Sequence, residues 1–152
     1  MKTIKGDLIQ LAVNGHFDVI IHGCNCFCTM GAGIARAIKE EFPEALNADT
    51  ATAKGDKEKL GGYSYANVNR NSHTINVING YTQYNYYGES VLVDYDAVRT
   101  LFSRLKNDFP GKRFGYPKIG AGLAGGDWSI ISAIINQELA GEDHTLVILM
   151  TS

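Results

Sequence analysis

Long apolar runs are missing from this sequence. No stretch approaches the roughly 20 apolar residues that a membrane-spanning helix requires, and Met1-Lys2-Thr3-Ile4-Lys5 lacks the apolar core of a signal peptide. A soluble, cytoplasmic protein is the expectation. Excess charge is missing too: 14 Lys and Arg stand against 16 Asp and Glu, a net charge of −2, and no basic block occurs. That argues against a nucleic-acid polymer held by bulk electrostatics and leaves room for a small anionic ligand. Cysteine is scarce and confined to Cys24, Cys26 and Cys28. Their spacing suits neither disulfides nor a Cys-x-x-Cys metal pair, and His22 is the only histidine near them. Reduced structural thiols are expected, with no metal and no cofactor. Neither glycine-rich turn ends in Gly-Lys-Ser/Thr, which sets aside a P-loop nucleotidase. Repeats, linkers and low-complexity tracts are also lacking, so residues 1–152 are read as a single domain with a core large enough to fold unaided.

What the sequence does carry is a strand–glycine-turn–helix unit, twice. The apolar run Val19-Ile20-Ile21 feeds His22-Gly23-Cys24-Asn25-Cys26-Phe27-Cys28-Thr29-Met30, then Gly31-Ala32-Gly33, then a helical pattern over 32–41 that stops at Phe42-Pro43. Arg113 to Ile119 reads as a second strand, followed by Gly120-Ala121-Gly122-Leu123-Ala124-Gly125-Gly126 and a helix over 129–139 opened by Asp127-Trp128. A glycine turn running into a helix N-terminus presents unpaired N–H groups and the positive end of the helix dipole, so a phosphate-bearing ligand is the first expectation. Around these units the pattern predicts a strand over 2–5 and a short helix after Asp7. A helix over 46–53 and a hairpin turning at 69–72 follow. An amphipathic helix over 94–107 and an apolar strand over 145–150 complete the reading. Strands and helices alternate, so the class is α/β, with both glycine turns at the carboxyl ends of strands.

In this order and spacing, Gly6-Asp7-Leu8, Asn25 followed by Met30-Gly31-Ala32-Gly33-Ile34-Ala35, and Ile119-Gly120-Ala121-Gly122-Leu123 resemble the macrodomain family over nearly the whole chain. The resemblance implies a three-layer α/β/α fold with a mixed, mostly parallel central sheet, and ADP-ribose as ligand. Within the family, His22-Gly23-Cys24-Asn25-Cys26 and Gly125-Gly126-Asp127-Trp128 look most like the ADP-ribose-1''-phosphate phosphatase type. Relatives that remove ADP-ribose from acidic side chains place a lysine shortly after the strand ending near Asn79 and an aspartate directly after Gly122-Leu123. Here those places hold Gly80-Tyr81-Thr82-Gln83 and Ala124, so both groups are missing.

The resemblance places Asp7 and Leu8 at adenine, where a carboxylate suits the exocyclic amino group; read alone, Asp7 is equally a helix cap. Gly31, Ala32, Gly33 and Ile34, and likewise Gly120, Ala121, Gly122 and Leu123, would bind phosphates through backbone amides. Asn25 would hold the distal ribose or orient a water. His22 is the candidate acid or base, against a structural role at the end of a buried strand. Asp127 could support it or simply cap a helix. Tyr81, Gln83 and the tyrosine-rich loop 81–87 are read as a substrate lid. The expected function is hydrolysis of ADP-ribose-1''-phosphate to ADP-ribose and phosphate by His22, Asn25 and Asp127. A non-catalytic ADP-ribose reader and a hydrolase acting on ADP-ribosylated protein are the alternatives.

Overall fold

A computed structural model describes residues 1–88 and 90–150. In chain order the elements are β1 (Lys2–Lys5), α1 (Leu8–Val13), β2 (Val19–Cys24), α2 (Gly33–Glu41) and α3 (Pro43–Thr50). A 3₁₀ turn over Lys57–Lys59 leads to β3 (Tyr63–Arg70), β4 (His73–Tyr81), α4 (Tyr95–Asp108), β5 (Arg113–Tyr116), α5 (Trp128–Glu138) and β6 (Asp143–Ile148). The described strands form one six-stranded sheet in the order β1-β6-β5-β2-β4-β3. Only β3 runs antiparallel to its neighbour, through the hairpin with β4; the remaining pairs are parallel. The mixed, mostly parallel sheet is therefore as expected.

Local chemistry explains most boundaries. The hairpin turns through Asn71 and Ser72, both in the left-handed region with φ of 52° and 62°, the twist a two-residue connection requires. Aspartates start three of the helices: Asp7 Oδ1 accepts from the Ile9 and Gln10 N–H groups, Asp94 from Ala97, and Asp127 from Ser129. Some boundaries differ from the sequence reading. Pro43 stops α2 but also starts α3 as its first residue, where a missing N–H costs nothing, so this helix begins and ends ahead of the predicted 46–53 span while overlapping it. Strand β5 ends at Tyr116, before Pro117 can interrupt the ladder. Strand β6 begins opposite Arg113 and ends opposite Lys5, two residues ahead of the predicted span.

The pleat divides the core in two. Val19 and Ile21 of β2 pack with Val98, Leu101 and Phe102 of α4 and with Ile131 and Ile135 of α5. Ile20, between them, faces the other way, with Leu8 and Ala12 of α1, Ile38 of α2 and Ala45 of α3. Helices thus cover both faces of the sheet, giving three layers. Each fully buried aliphatic or aromatic side chain contributes about 1.5–3 kcal/mol. Among the described residues, no helix is long and apolar enough to cross a membrane.

Candidate functional site

A cavity of about 500 Å³ opens at the carboxyl ends of β2 and β5, between the two glycine loops. Its floor includes Gly23 and Ile119. Asn25, Thr29 and residues 31–35 form one wall, and Lys118, Gly120 and residues 122–124 the other; Gln83, Tyr86 and Leu92 close the end. The two helices entering it differ. Helix α5 is capped by its own carboxylate, since Asp127 Oδ1 accepts from the Ser129 N–H and hydroxyl. Helix α2 has Ala32 as its N-cap and no side-chain cap, so its first N–H groups are open to a ligand. Gly33, at φ 58°, supplies the left-handed residue that brings the chain into that helix.

The second loop exposes donors in another way. Ala121 donates to Lys118 O, Gly125 to Gly122 O and Gly126 to Gly120 O, which folds the loop back on itself. Among the described residues the N–H groups of Gly120, Gly122, Leu123 and Ala124 have no backbone acceptor, and these residues line the cavity. Gly120 sits at φ +74°, where a Cβ would lie 2.6 Å from Val93 Cγ2. Such a row of amides is an anion cradle that needs no side-chain charge. Lys118, exposed beside it, is the cationic side chain in the lining.

Asn25 is buried, with 8% of its surface exposed, and lines the cavity. Its Oδ1 accepts from the Phe27 N–H at 2.8 Å, while Nδ2 donates to Thr29 Oγ1 at 2.6 Å and to Thr29 O at 3.2 Å. An amide N–H can meet only an oxygen, so the bond from Phe27 fixes which end of the carboxamide is which.

His22 is corrected by the pleat. It follows Ile20 on the face that packs against α1, α2 and α3, and is fully buried there. Its Nε2 bonds Asn79 Oδ1 at 2.7 Å, and Asn79 Nδ2 in turn donates to Ala45 O and Ser64 Oγ. Because Asn79 uses its nitrogen elsewhere, the histidine must be the donor, which leaves Nδ1 bare beside the Cys24 thiol at 3.7 Å. Burial pushes its pKa down to about 4, with the Asn79 bond opposing, so the ring is neutral near pH 7. It is not part of the cavity lining. Asp127 is also outside the lining; among the described residues its side-chain partner is Ser129, whose bonds lower its pKa, and it makes no contact with His22. Neither residue occupies the acid–base position expected of it.

Tyr81 is likewise not a lid residue. It ends β4, is 2% exposed, and its hydroxyl lies 2.7 Å from both Ser64 Oγ and Asp49 Oδ1. Burial raises the pKa of both Tyr81 and Asp49. Of the tyrosine-rich loop, Tyr84 packs on Phe27 with ring centroids 4.9 Å apart and donates to Gly55 O, while Tyr86 and Gln83 reach the cavity. Leu92 and Val93, just before α4, are pinned to the second glycine loop, as both of their N–H groups donate to Ala124 O. Ala121 has its N–H committed and lies outside the lining. Asp7 and Leu8 sit at the end of β1, also beyond the lining, with Asp7 exposed and capping α1.

The cysteines are free. Burial raises the pKa of Cys24 and Cys26, which keeps them as thiols. Among the described residues no group of three or more His, Cys, Asp or Glu side chains converges as a metal site. Thr29 was not singled out in the sequence, although its position between Asn25 and Gly31 was a signal. Thr82 was missed as well. Its hydroxyl is buried without a partner among the described residues, on the side of the sheet shared with Gly23, where a Cβ would come within 2.8 Å of it.

No family model matches the chain. It is 37% identical over 142 residues, 90% of its length and 88% of the other's, to an uncharacterised 17.5 kDa protein of the tk-vs intergenic region of Enterobacteria phage T4. A shorter match, 45% identical over 47 residues, covers 31% of the chain and 22% of an ADP-ribose 1''-phosphate phosphatase of Aspergillus oryzae. Among solved structures, a Bacteroides thetaiotaomicron protein of unknown function superposes with a TM-score of 0.80 at 27% identity, covering 98% of this chain and 97% of that one. A Streptomyces coelicolor macrodomain protein gives 0.75 at 25% identity, with 97% of each chain covered. Thermosipho africanus DarTG in complex with ADP-ribose gives 0.73 at 15% identity, covering 99% of this chain and 42% of that one, a likeness of fold. Sheet order, paired glycine loops and these similarities agree: the chain has the macrodomain fold.

Proposed function

We propose that this protein binds ADP-ribose in the cavity between its two glycine loops. The observation that carries the reading is the pairing of an uncapped helix, α2, with a second loop whose amides at 120 and 122–124 lack backbone acceptors. Two such cradles on opposite walls suit a ligand with phosphates between two ends, and a cavity of about 500 Å³ is of small-ligand size. Lys118 offsets part of the ligand charge. Asp7 remains available for adenine: its Oδ1 caps α1, its Oδ2 has no partner among the described residues, and the Leu8 N–H lies before the first helical acceptor.

A second reading, hydrolysis of ADP-ribose-1''-phosphate, is favoured by the 47-residue match to the fungal phosphatase. The titratable side chains of the lining are Cys24, Tyr86 and Lys118, so such a reaction would depend on a water oriented by Asn25 and on phosphate charge held by backbone amides. Calorimetry with ADP-ribose tests the first reading: saturable binding supports it, and no heat at millimolar ligand overturns it. Phosphate release from ADP-ribose-1''-phosphate, lost in Asn25→Ala, tests the second. Loss of ADP-ribose from a glutamate-modified protein would instead assign the de-modifying activity.

A further inference from the structure

Outside the cavity, a cysteine and a lysine from different parts of the chain meet. Cys28 lies between Asn25 and Gly31 in the first loop but does not line the cavity. Its Sγ instead meets α3 and the segment after it: Asp49 O at 3.3 Å, Thr52 Oγ1 at 3.5 Å, Thr52 O at 3.9 Å and Lys59 Nζ at 3.7 Å. The nearest acceptor there is already filled, because Asp49 O takes the Thr52 N–H at 3.0 Å and the Thr52 hydroxyl at 2.6 Å. Lys59 offers the sulfur a donor. One of its three hydrogens goes to Cys26 O at 3.1 Å, and Nζ lies 4.6 Å from the centre of the Tyr81 ring. Among the described residues no carboxylate pairs with it. The sulfur is thus placed to accept from an ammonium, the partner suited to a thiolate. Cys24 and Cys26 are different: both are buried, and burial pushes their thiols up. Cys28 is half-buried, with part of its surface open to solvent.

We propose that Cys28 and Lys59 form a modification site whose reactant is a hydroperoxide, and that oxidation closes them into a reversible sulfenamide cross-link. First the Cys28 thiolate attacks a peroxide oxygen: an S–O bond forms, the O–O bond breaks, sulfur is oxidised and the peroxide reduced. With hydrogen peroxide the departing hydroxide takes a proton from the Lys59 ammonium and leaves as water. The amine so freed attacks the sulfenic sulfur. An S–N bond forms, the S–O bond breaks, and the hydroxyl leaves as a second water with a proton from the amine. Thiolate, ammonium and one hydrogen peroxide thus become a sulfenamide and two waters. A dithiol reverses the link: one thiol displaces the amine from sulfur, and the second releases Cys28 as a thiol. The bond joins residues 31 apart in sequence and fastens the cavity wall that carries Asn25 and Thr29 to the turn before β3. None of this depends on which ligand the cavity holds.

The test exposes the reduced full chain to a small excess of hydrogen peroxide and reads intact mass and peptide maps for wild type, Lys59→Arg and Cys28→Ser. Wild type should lose two hydrogens, link the Cys28 peptide to the Lys59 peptide, and return to its starting mass in dithiothreitol. Lys59→Arg keeps the cation but lacks an amine that condenses. Its link should be lost, and Cys28 should instead take up dimedone, a trap for sulfenic acid. Cys28→Ser should show neither the link nor the label. An equal two-hydrogen loss in Lys59→Arg would overturn the proposal, since the partner would then be another thiol or a backbone amide. So would a wild-type Cys28 that ends as a sulfinic acid without the link, or one that stays reduced while Cys24 or Cys26 is oxidised. The wild-type peptide map decides by itself where a variant does not fold.

Discussion

Acidification should destabilise this protein through His22. The ring is fully buried, and its pKa is held down to about 4 by burial against an ordinary value of 6.5. Between those two values the unfolded chain binds a proton that the folded chain refuses, so stability falls as pH falls from 6.5 towards 4. Integrating that single titration from pH 7 to pH 5 gives a loss of about 2 kcal/mol, or roughly 4–8 °C in Tm for a domain of this size. Other groups move in the same range. His144, also lowered by burial, adds the same sign, and Asp49, raised by burial, adds the opposite one. Asp18, lowered mainly by its hydrogen bond from Arg113, loses its contribution below the ordinary carboxylate range and so outside this window. The readout is therefore the difference between wild type and His22→Gln in urea unfolding at pH 5, 6 and 7, where the shared titrations cancel. The wild-type curve should fall more steeply. Superimposable pH dependences, or a ring NMR titration with its midpoint above pH 6, would refute the burial argument. An ionisation near 6.5 in kcat/KM that disappears in His22→Gln would show that the histidine serves catalysis after all.

Three further perturbations follow from the geometry. Gly120→Ala places a Cβ 2.6 Å from Val93 Cγ2 and 3.2 Å from Ile131 Cδ1 at a left-handed φ; it should cost about 2–4 kcal/mol in urea unfolding and weaken ligand binding, and an unchanged midpoint would contradict the packing. Thr82→Val removes a buried hydroxyl that has no partner among the described residues, so thermal denaturation should show no loss or a gain of up to about 1 kcal/mol; a clear destabilisation would reveal a partner for that oxygen. Asp18 accepts from the Arg113 backbone N–H, Nε and Nη2 at 2.9, 3.0 and 2.9 Å, so Asp18→Asn should lower stability by about 1–2 kcal/mol without altering ADP-ribose affinity.

Much of the fold was legible because local chemistry and tertiary demand agree. Asp7, Asp94 and Asp127 announce helices that then pack on apolar stripes, and β2 and β4 are β-branched runs buried on both faces. Legibility failed where a residue served two elements or a partner set the limit. Pro43 reads as a stop, yet its fixed φ and missing N–H also make it a first helical residue. The end of β6 is decided by β1, a strand far away in sequence, and no local pattern around Leu149 reports it. The glycine loops were readable as loops, but the division of labour inside them was not. That Ala121 has spent its amide, while Gly120 and residues 122–124 have not, follows from turn geometry that composition does not encode.

The assignment of His22 shows why proximity in sequence is a weak guide to a site built at strand ends. His22, Gly23, Cys24 and Asn25 are consecutive, and the cavity lies at the end of their strand, so all four look equally placed. While the chain remains in the sheet, however, the pleat sends alternate side chains to opposite layers. His22 must follow Ile20 towards α3, and its partner across the ladder, Asn79, faces the same way because parallel neighbours share a face. Gly23 is turned towards Thr82 and the cavity floor, where the absence of a side chain is what keeps the floor open. Asn25 escapes this alternation because β2 ends at Cys24. Its orientation is then fixed by its own loop, through Phe27 and Thr29. A polar residue one step beyond the strand is free to be aimed by hydrogen bonds, whereas one within it is aimed by the sheet. That wall of the pocket is accordingly built from Asn25 and Thr29, and the histidine three residues before Asn25 belongs to the core.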